Sequence, residues 1–317
     1  MAAREAGVMS TTQAAGAIPR TGVRRRPIRR QQWAGLLFVL PAVALVVVFF
    51  VVPLAMTAWM SLHNWPLMGA SRFIGLDNYL AIARDTRFWN ALRFTALYTV
   101  VVTIAIFAAA FPLALFVEKP RPFGGFYRTA YFLPVVVGFA SASLLWAWLL
   151  NVDAGLFSPA AAALGLTNGR VNLLADFDPA FWSIIAMVVW KVAGFTMVIL
   201  MTGLQSIPAD YLEAAKIDGA GPWARFRRIT LPLMRRTIAL ALILSVTGSM
   251  LAFDQFYIIL GGGPRNQTVT AVYWIFNQSF VSFRLGYGAA LSMVLLAILL
   301  VLSVIQLRLL RHPEGES

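Results

Sequence analysis

Long apolar runs alternate along this chain with short polar interruptions, and within each run the hydrophobic positions are continuous rather than striped. The runs are Trp33 to Trp59, Phe94 to Val117, Thr129 to Leu150, Phe181 to Leu204, Thr237 to Leu260 and Tyr287 to Leu307. Each supplies about the 20 residues that a helix needs to cross a hydrocarbon core roughly 30 Å thick. A helix satisfies its own backbone in lipid, so the pattern predicts an all-α integral membrane protein with six transmembrane helices. The membrane domain should occupy residues 33–310, preceded by a disordered tail over 1–32 and followed by a short tail over 311–317.

The interruptions differ in character. His63 to Asn90 carries Phe73, Tyr79, Phe88 and Trp89, aromatics that suit a helix lying at the membrane interface. Asn151 to Pro179 is punctuated by Gly, Asn, Asp and Pro, with a short helix expected over Ala160 to Leu164. Gly261-Gly262-Gly263-Pro264 is a strong turn signal. Within the runs, Pro112, Pro134, Gly138, Ser141 and Ser143 permit bends or close helix approach.

Composition agrees with this picture: 60% of residues are hydrophobic and only 12% charged, against about a quarter charged in soluble domains. The formal net charge is +13, which raises the question of nucleic acid, and the placement of that charge answers it. Arg20, Arg24, Arg25, Arg26, Arg29 and Arg30 precede the first run, and Lys119, Arg121 and Arg128 separate the second from the third. Arg225, Arg227, Arg228, Arg235 and Arg236 separate the fourth from the fifth, while Arg308 and Arg311 close the chain. The alternate loops hold Asp77, Asp85, Asp153, Asp176 and Asp178. By the positive-inside rule the bias is a topology signal, not a nucleic-acid site, and it puts both termini in the cytoplasm of a multi-pass cell-membrane protein.

Candidate chemistry is sparse. Cysteine is absent and His63 and His312 are far apart, so neither thiol chemistry nor a histidine-based metal site is expected. With only Lys119, Lys191 and Lys216, no phosphate loop of the Walker type can be written, so the chain is not itself an ATPase. Inside the runs stand Lys191 and Asp254, each costing roughly 2.5 to 3.5 kcal/mol to bury at a helix centre, and the adjacent Gln255. They either line a polar path or serve as structural ties, the lysine by pairing with the aspartate or by snorkelling.

The most informative segment is the interruption over 205–236. Ala209 to Ile217 favours a short helix between Pro208 and Gly219, and a second helix starts near Pro222, giving an elbow between the fourth and fifth spans. Glu213 supplies one carboxylate and Ala214 and Ala215 a low surface for a soluble partner.

Glu213-Ala214-Ala215, Gly219, then Ile229, Leu231 and Pro232, resemble the EAA loop of permease subunits of binding-protein-dependent ABC importers, and more narrowly the maltose/glycerol-phosphate type of carbohydrate permease. Phe132-Leu133-Pro134, Trp190-Lys191, Gly194-Phe195, Phe253-Asp254 and Gly286-Tyr287-Gly288-Ala289-Ala290 add to the resemblance. It implies the type I ABC importer permease fold, with no cofactor in this chain and ATP and Mg in a partner. Glu213, Ala214, Ala215, Gly219, Ile229, Leu231 and Pro232 would couple to the ATPase. Val135, Phe139, Lys191, Val192, Phe195, Gly248, Ala252, Asp254 and Gln255 would mark the solute path. Gly261, Gly262, Gly263 and Pro264 would meet a binding protein.

The implied partners are a homologous second permease, two cytoplasmic ATPase subunits, an extracytoplasmic solute-binding protein and the bilayer of a prokaryotic cell. The implied function is uptake of a sugar or related polyol, with glycerol phosphate or a phosphodiester as the alternative cargo. An ion-coupled secondary transporter is the competing class, although no inverted repeat supports it. A membrane-embedded scaffold or enzyme is a third, and it would move no solute.

Overall fold

The computed structural model describes residues 38–119, 122–165 and 169–310, so the expected tails and the start of the first run lie outside the described residues. The described residues fall into two units, 38–54 and those from Ala55 onward. The described part of the first unit is apolar helix, part of a single helix over Phe38–Ser61. Pro53 cannot donate to Phe49, and the turn before it widens so that the Val52 amide reaches back to the Val47 carbonyl.

In the second unit the second, fourth and sixth spans are single helices, Thr86–Glu118, Phe177–Gln205 and Leu285–Arg308. The third and fifth are not. The third consists of Gly124–Val136 and Phe139–Leu149, bent by 95°, and the fifth of Pro222–Leu233 and Arg235–Met250, bent by 71°. Counting each bent pair as one span gives the six expected.

The expected fifth span over Thr237 to Leu260 is therefore corrected at its end: its helix stops at Met250. Thr270 Oγ1 donates to the Ala252 carbonyl at 2.8 Å, satisfying backbone that the broken helix leaves open, and a separate turn follows over Phe256–Leu260. The short loop helix runs over Phe157–Ala163, close to expectation, and the first loop holds a helix over Asp77–Arg84 beside a two-residue antiparallel ribbon, His63 opposite Phe73.

Packing centres on the second and fourth spans. Phe94, Tyr98, Val102 and Ile106 meet Ile184, Met187 and Val188, with Phe256 edge-on to Tyr98 at 4.9 Å between ring centroids. Toward the other end Ala110, Ala114 and Val117 meet Met197, Leu200 and Met234, and a further cluster joins Phe88 to Ala290 and Leu291 of the sixth span. Small residues set the closest approach, as expected where lipid supplies no hydrophobic drive between helices. A Cβ added at Gly194 would run into the Tyr131 backbone carbonyl, so the third and fourth spans touch at that point through glycine.

Asp85 ties three elements together. Its carboxylate caps the second span through the amides of Arg87 (3.0 Å) and Phe88 (3.2 Å) and also accepts from Trp274 Nε1 (3.0 Å) and the Tyr287 hydroxyl (2.7 Å). Burial pushes its carboxyl up, yet these four bonds to the charged form outweigh burial and hold it below the ordinary 3.8. The stabilisation is therefore complete above the unfolded value and disappears as pH falls through the lower folded one. Asp85→Ala should lower unfolding stability by about 2–4 kcal/mol, from a lost cap and two unpaired donors, read by thermal unfolding in detergent. The share of the deficit that belongs to the charged carboxylate should disappear as pH falls from 3.8 through the lower folded value.

Candidate functional site

Two places bring the chemistry-bearing residues together. The first is the elbow between the fourth and fifth spans. Its first helix, Ala209–Ile217, is stopped by Gly219, whose φ of +76° is one that residues with a Cβ resist. The Ala220 amide donates to the Ala215 carbonyl (2.9 Å) and the Gly219 amide to that of Lys216 (3.1 Å), the paired bonds of a Schellman ending. The chain then enters Pro222–Leu233 with proline at its first turn.

Glu213, Ala214 and Gly219 lie exposed on this elbow, Ile229, Leu231 and Pro232 are half-buried, and Ala215 turns inward. The outward surface is more apolar than the motif alone suggests. Ile217 is 87% and Trp223 70% exposed, and Tyr211 is exposed beside them. Isolated apolar side chains at a surface carry little meaning, but three on one short elbow mark a contact face. The sequence signal was available, since large apolar residues stand in a polar segment, and the residue types of the motif drew attention elsewhere.

The second place is a cavity of about 470 Å³ between the second, third, fourth and fifth spans. Val135, Phe139, Lys191, Val192, Phe195, Gly248 and Gln255 all line it. Ala252 and Asp254 do not. Ala252 is buried against the core around Phe256, while half-buried Asp254 heads the turn after the break in the fifth span, where a carboxylate suits the amide end of a helical segment. Tyr98, Thr196, Ser245 and Ser249 also line the cavity. They escaped sequence reading because hydroxyls inside apolar runs are common and only packing decides which way they face.

Lys191 is neither snorkelling nor paired with Asp254. Its Nζ donates to the Val137 carbonyl and lies 3.3 Å from that of Pro134 and 3.5 Å from that of Val135, with the Phe139 ring centroid 4.6 Å away. These are the carbonyls that the break at Val137 and Gly138 frees from helical bonding, at the negative end of the Gly124–Val136 dipole. The ammonium is thus a cap on a broken span, and its three protons are directed to backbone. Gln255 donates from Nε2 to the Tyr98 hydroxyl at 3.1 Å, which leaves its amide oxygen as an acceptor. The cavity is otherwise largely apolar, with a few polar groups placed to orient a ligand.

At the opposite end of the second span from the elbow lies the glycine turn. Gly261 and Gly262 have φ of +56° and +87°, and Thr268 Oγ1 donates to the Gly263 carbonyl, fixing the loop.

A bundle of spans around a central cavity, with one span broken at the cavity wall and an exposed elbow at one end, is the architecture of a membrane permease. The chain belongs to the family described as binding-protein-dependent transport system inner membrane component, whose model matches residues 91–313. It is 34% identical to the sn-glycerol-3-phosphate transport system permease protein UgpA of Escherichia coli O157:H7, over 89% of this chain and 96% of that protein. It is also 29% identical to the probable starch degradation products transport system permease protein AmyD of Thermoanaerobacterium thermosulfurigenes, over 88% of this chain and 94% of that one. In fold it resembles a bacterial ABC transporter involved in the import of the acidic polysaccharide alginate, with a TM-score of 0.77 at 20% identity, over 90% of this chain and 98% of that chain.

Proposed function

We propose that this chain is one of two permease subunits of an ATP-driven importer that takes up a sugar or related polyol handed over by a solute-binding protein. The observation that carries the reading is the elbow: a rigid, exposed turn joined directly to two spans that wall the central cavity. The arginine bias supports a cytoplasmic position for it, and for both termini. Two ATPase subunits, holding ATP and Mg, would grip this elbow and its counterpart on a homologous permease. Glu213, Ala214 and Gly219 would meet the ATPase surface together with Ile217 and Trp223, with Ile229, Leu231 and Pro232 shaping the base of the elbow. Closure of the ATPases would then tilt the fourth and fifth spans and open the cavity to the other side.

Glycerol phosphate is the second cargo supported, by the glycerol-phosphate permease that shares a third of its residues with this chain. The whole assembly, reconstituted in vesicles with a solute-loaded binding protein, should accumulate solute only while ATP is present. Uptake that survives ATP depletion and collapses with the ion gradient would overturn the reading in favour of a secondary transporter.

A further inference from the structure

Next to the glycine turn lies a second cavity, of about 610 Å³, whose chemistry is unlike that of the central one. Arg87 and Asn90 reach it from the start of the second span, Arg265, Asn266 and Gln267 from the loop, and Asn277 from the segment after Ala271–Phe276. Tyr273 and Trp274 complete its wall. Its volume falls in the range of small-molecule sites, roughly 300–1,000 Å³.

Two observations set it apart from an ordinary polar surface. Neither guanidinium has a carboxylate within ion-pair distance among the described residues. Asp85, the acid tied to Trp274, accepts from two amides, an indole and a phenol, and Arg87 lies 5.8 Å over the Trp274 ring instead. Second, the loop that brings Arg265 and Asn266 to the cavity holds both in the left-handed region, at φ of +52° and +59°. A conformation that L-residues resist persists only where its surroundings over-determine it, and such sites cluster at ligand clamps. Here Gln267 N donates to the Pro264 carbonyl at 3.0 Å, and Thr268 holds the carbonyl of Gly263.

We propose that this cavity is a binding site for a small anionic solute, a carboxylate or phosphate ester carrying hydroxyl groups. Arg87 and Arg265 take the anion and the amides of Asn90, Asn266, Gln267 and Asn277 take the hydroxyls. The division of labour follows from donor geometry: guanidinium forks match carboxylate and phosphate oxygens, while an amide offers both donor and acceptor to a hydroxyl. With Lys191 committed to backbone carbonyls, the charge selection falls here and not in the central cavity. The proposal rests on the importer reading for its place in transport, but the site itself does not.

The test uses the full chain assembled with its partners in lipid nanodiscs. Equilibrium dialysis with radiolabelled glycerol 3-phosphate and glucuronate, and with glycerol and glucose as neutral counterparts, reads the site directly. Saturable retention of the anions alone is expected, weakened about tenfold or more by Arg265→Gln and by Arg87→Gln, with competition by inorganic phosphate. Retention that ignores both substitutions, or no saturable retention, would overturn the proposal. So would a loss, in either variant, of ATPase stimulation by a binding protein carrying a neutral solute, because the arginines would then be meeting the protein. A wild-type assembly that imports neutral solute on ATP yet retains no anion sinks this site and leaves the importer reading standing. Anion retention without any ATP-driven import does the reverse.

Discussion

Glu213→Lys will abolish stimulated ATP hydrolysis and solute uptake while leaving the chain folded in the membrane. The carboxylate stands exposed on the first helix of the elbow, and no described residue bonds it. Surface substitutions of that kind change stability by within about 0.5 kcal/mol, so folding has little reason to respond. A partner's cationic or amide group facing that position would instead meet a like charge or lose its acceptor, and a truncated charge contact at an interface costs about 2–5 kcal/mol, a factor of roughly 30 or more in affinity. Stimulated ATPase and uptake should be measured in reconstituted vesicles, with Glu213→Gln as the milder variant. Normal transport by the lysine variant would remove Glu213 from the docking surface.

Lys191→Met will abolish uptake of charged and neutral solutes alike. Methionine keeps the length and apolar stem, but it leaves the carbonyls of Pro134, Val135 and Val137 without their donor at the break of the third span. Losing a charged donor to part-buried carbonyls costs about 2–4 kcal/mol, and the bend that shapes the cavity wall relaxes with it. Lys191→Arg, which retains donors, should recover part of the activity. The informative comparison is between solutes: a loss confined to anionic cargo would identify the lysine as a solute contact and refute its role as a helix cap. A lowered thermal midpoint in the methionine variant is the accompanying structural readout.

These two residues also mark how legible the chain was before its fold. The elbow could be read because it is local: a proline, nine helix-favouring residues and a glycine at +76° are neighbours in sequence, and local sterics settle their conformation. The continuous helices were legible for the same reason, since each apolar run satisfies its own backbone in lipid. Pro134 and Gly138 announced that the third span could bend. That it does bend, by 95°, depends on a lysine more than fifty positions away.

The path residues divide along the same line. Val135, Phe139, Lys191, Val192, Phe195, Gly248 and Gln255 face the central cavity, whereas Ala252 and Asp254 lie beyond the end of the fifth helix and outside its lining. An apolar run of the right length looks like one span whether or not it is broken. The break at Leu251 to Phe253 is held by Thr270, a residue from another segment that no local pattern connects to it.

By itself, then, the sequence determined the number of spans, the elbow with its exposed carboxylate, and the absence of a phosphate loop of its own, all consequences of local composition and the demand that lipid makes on backbone polar groups. Only the tertiary structure decided where Lys191 sends its charge, which hydroxyls face the central cavity, and that two arginines distant in sequence share a polar one. Those outcomes hang on which helix faces meet, and close packing between spans fixes that through contacts such as Gly194 against Tyr131, which exist only once the chain has folded.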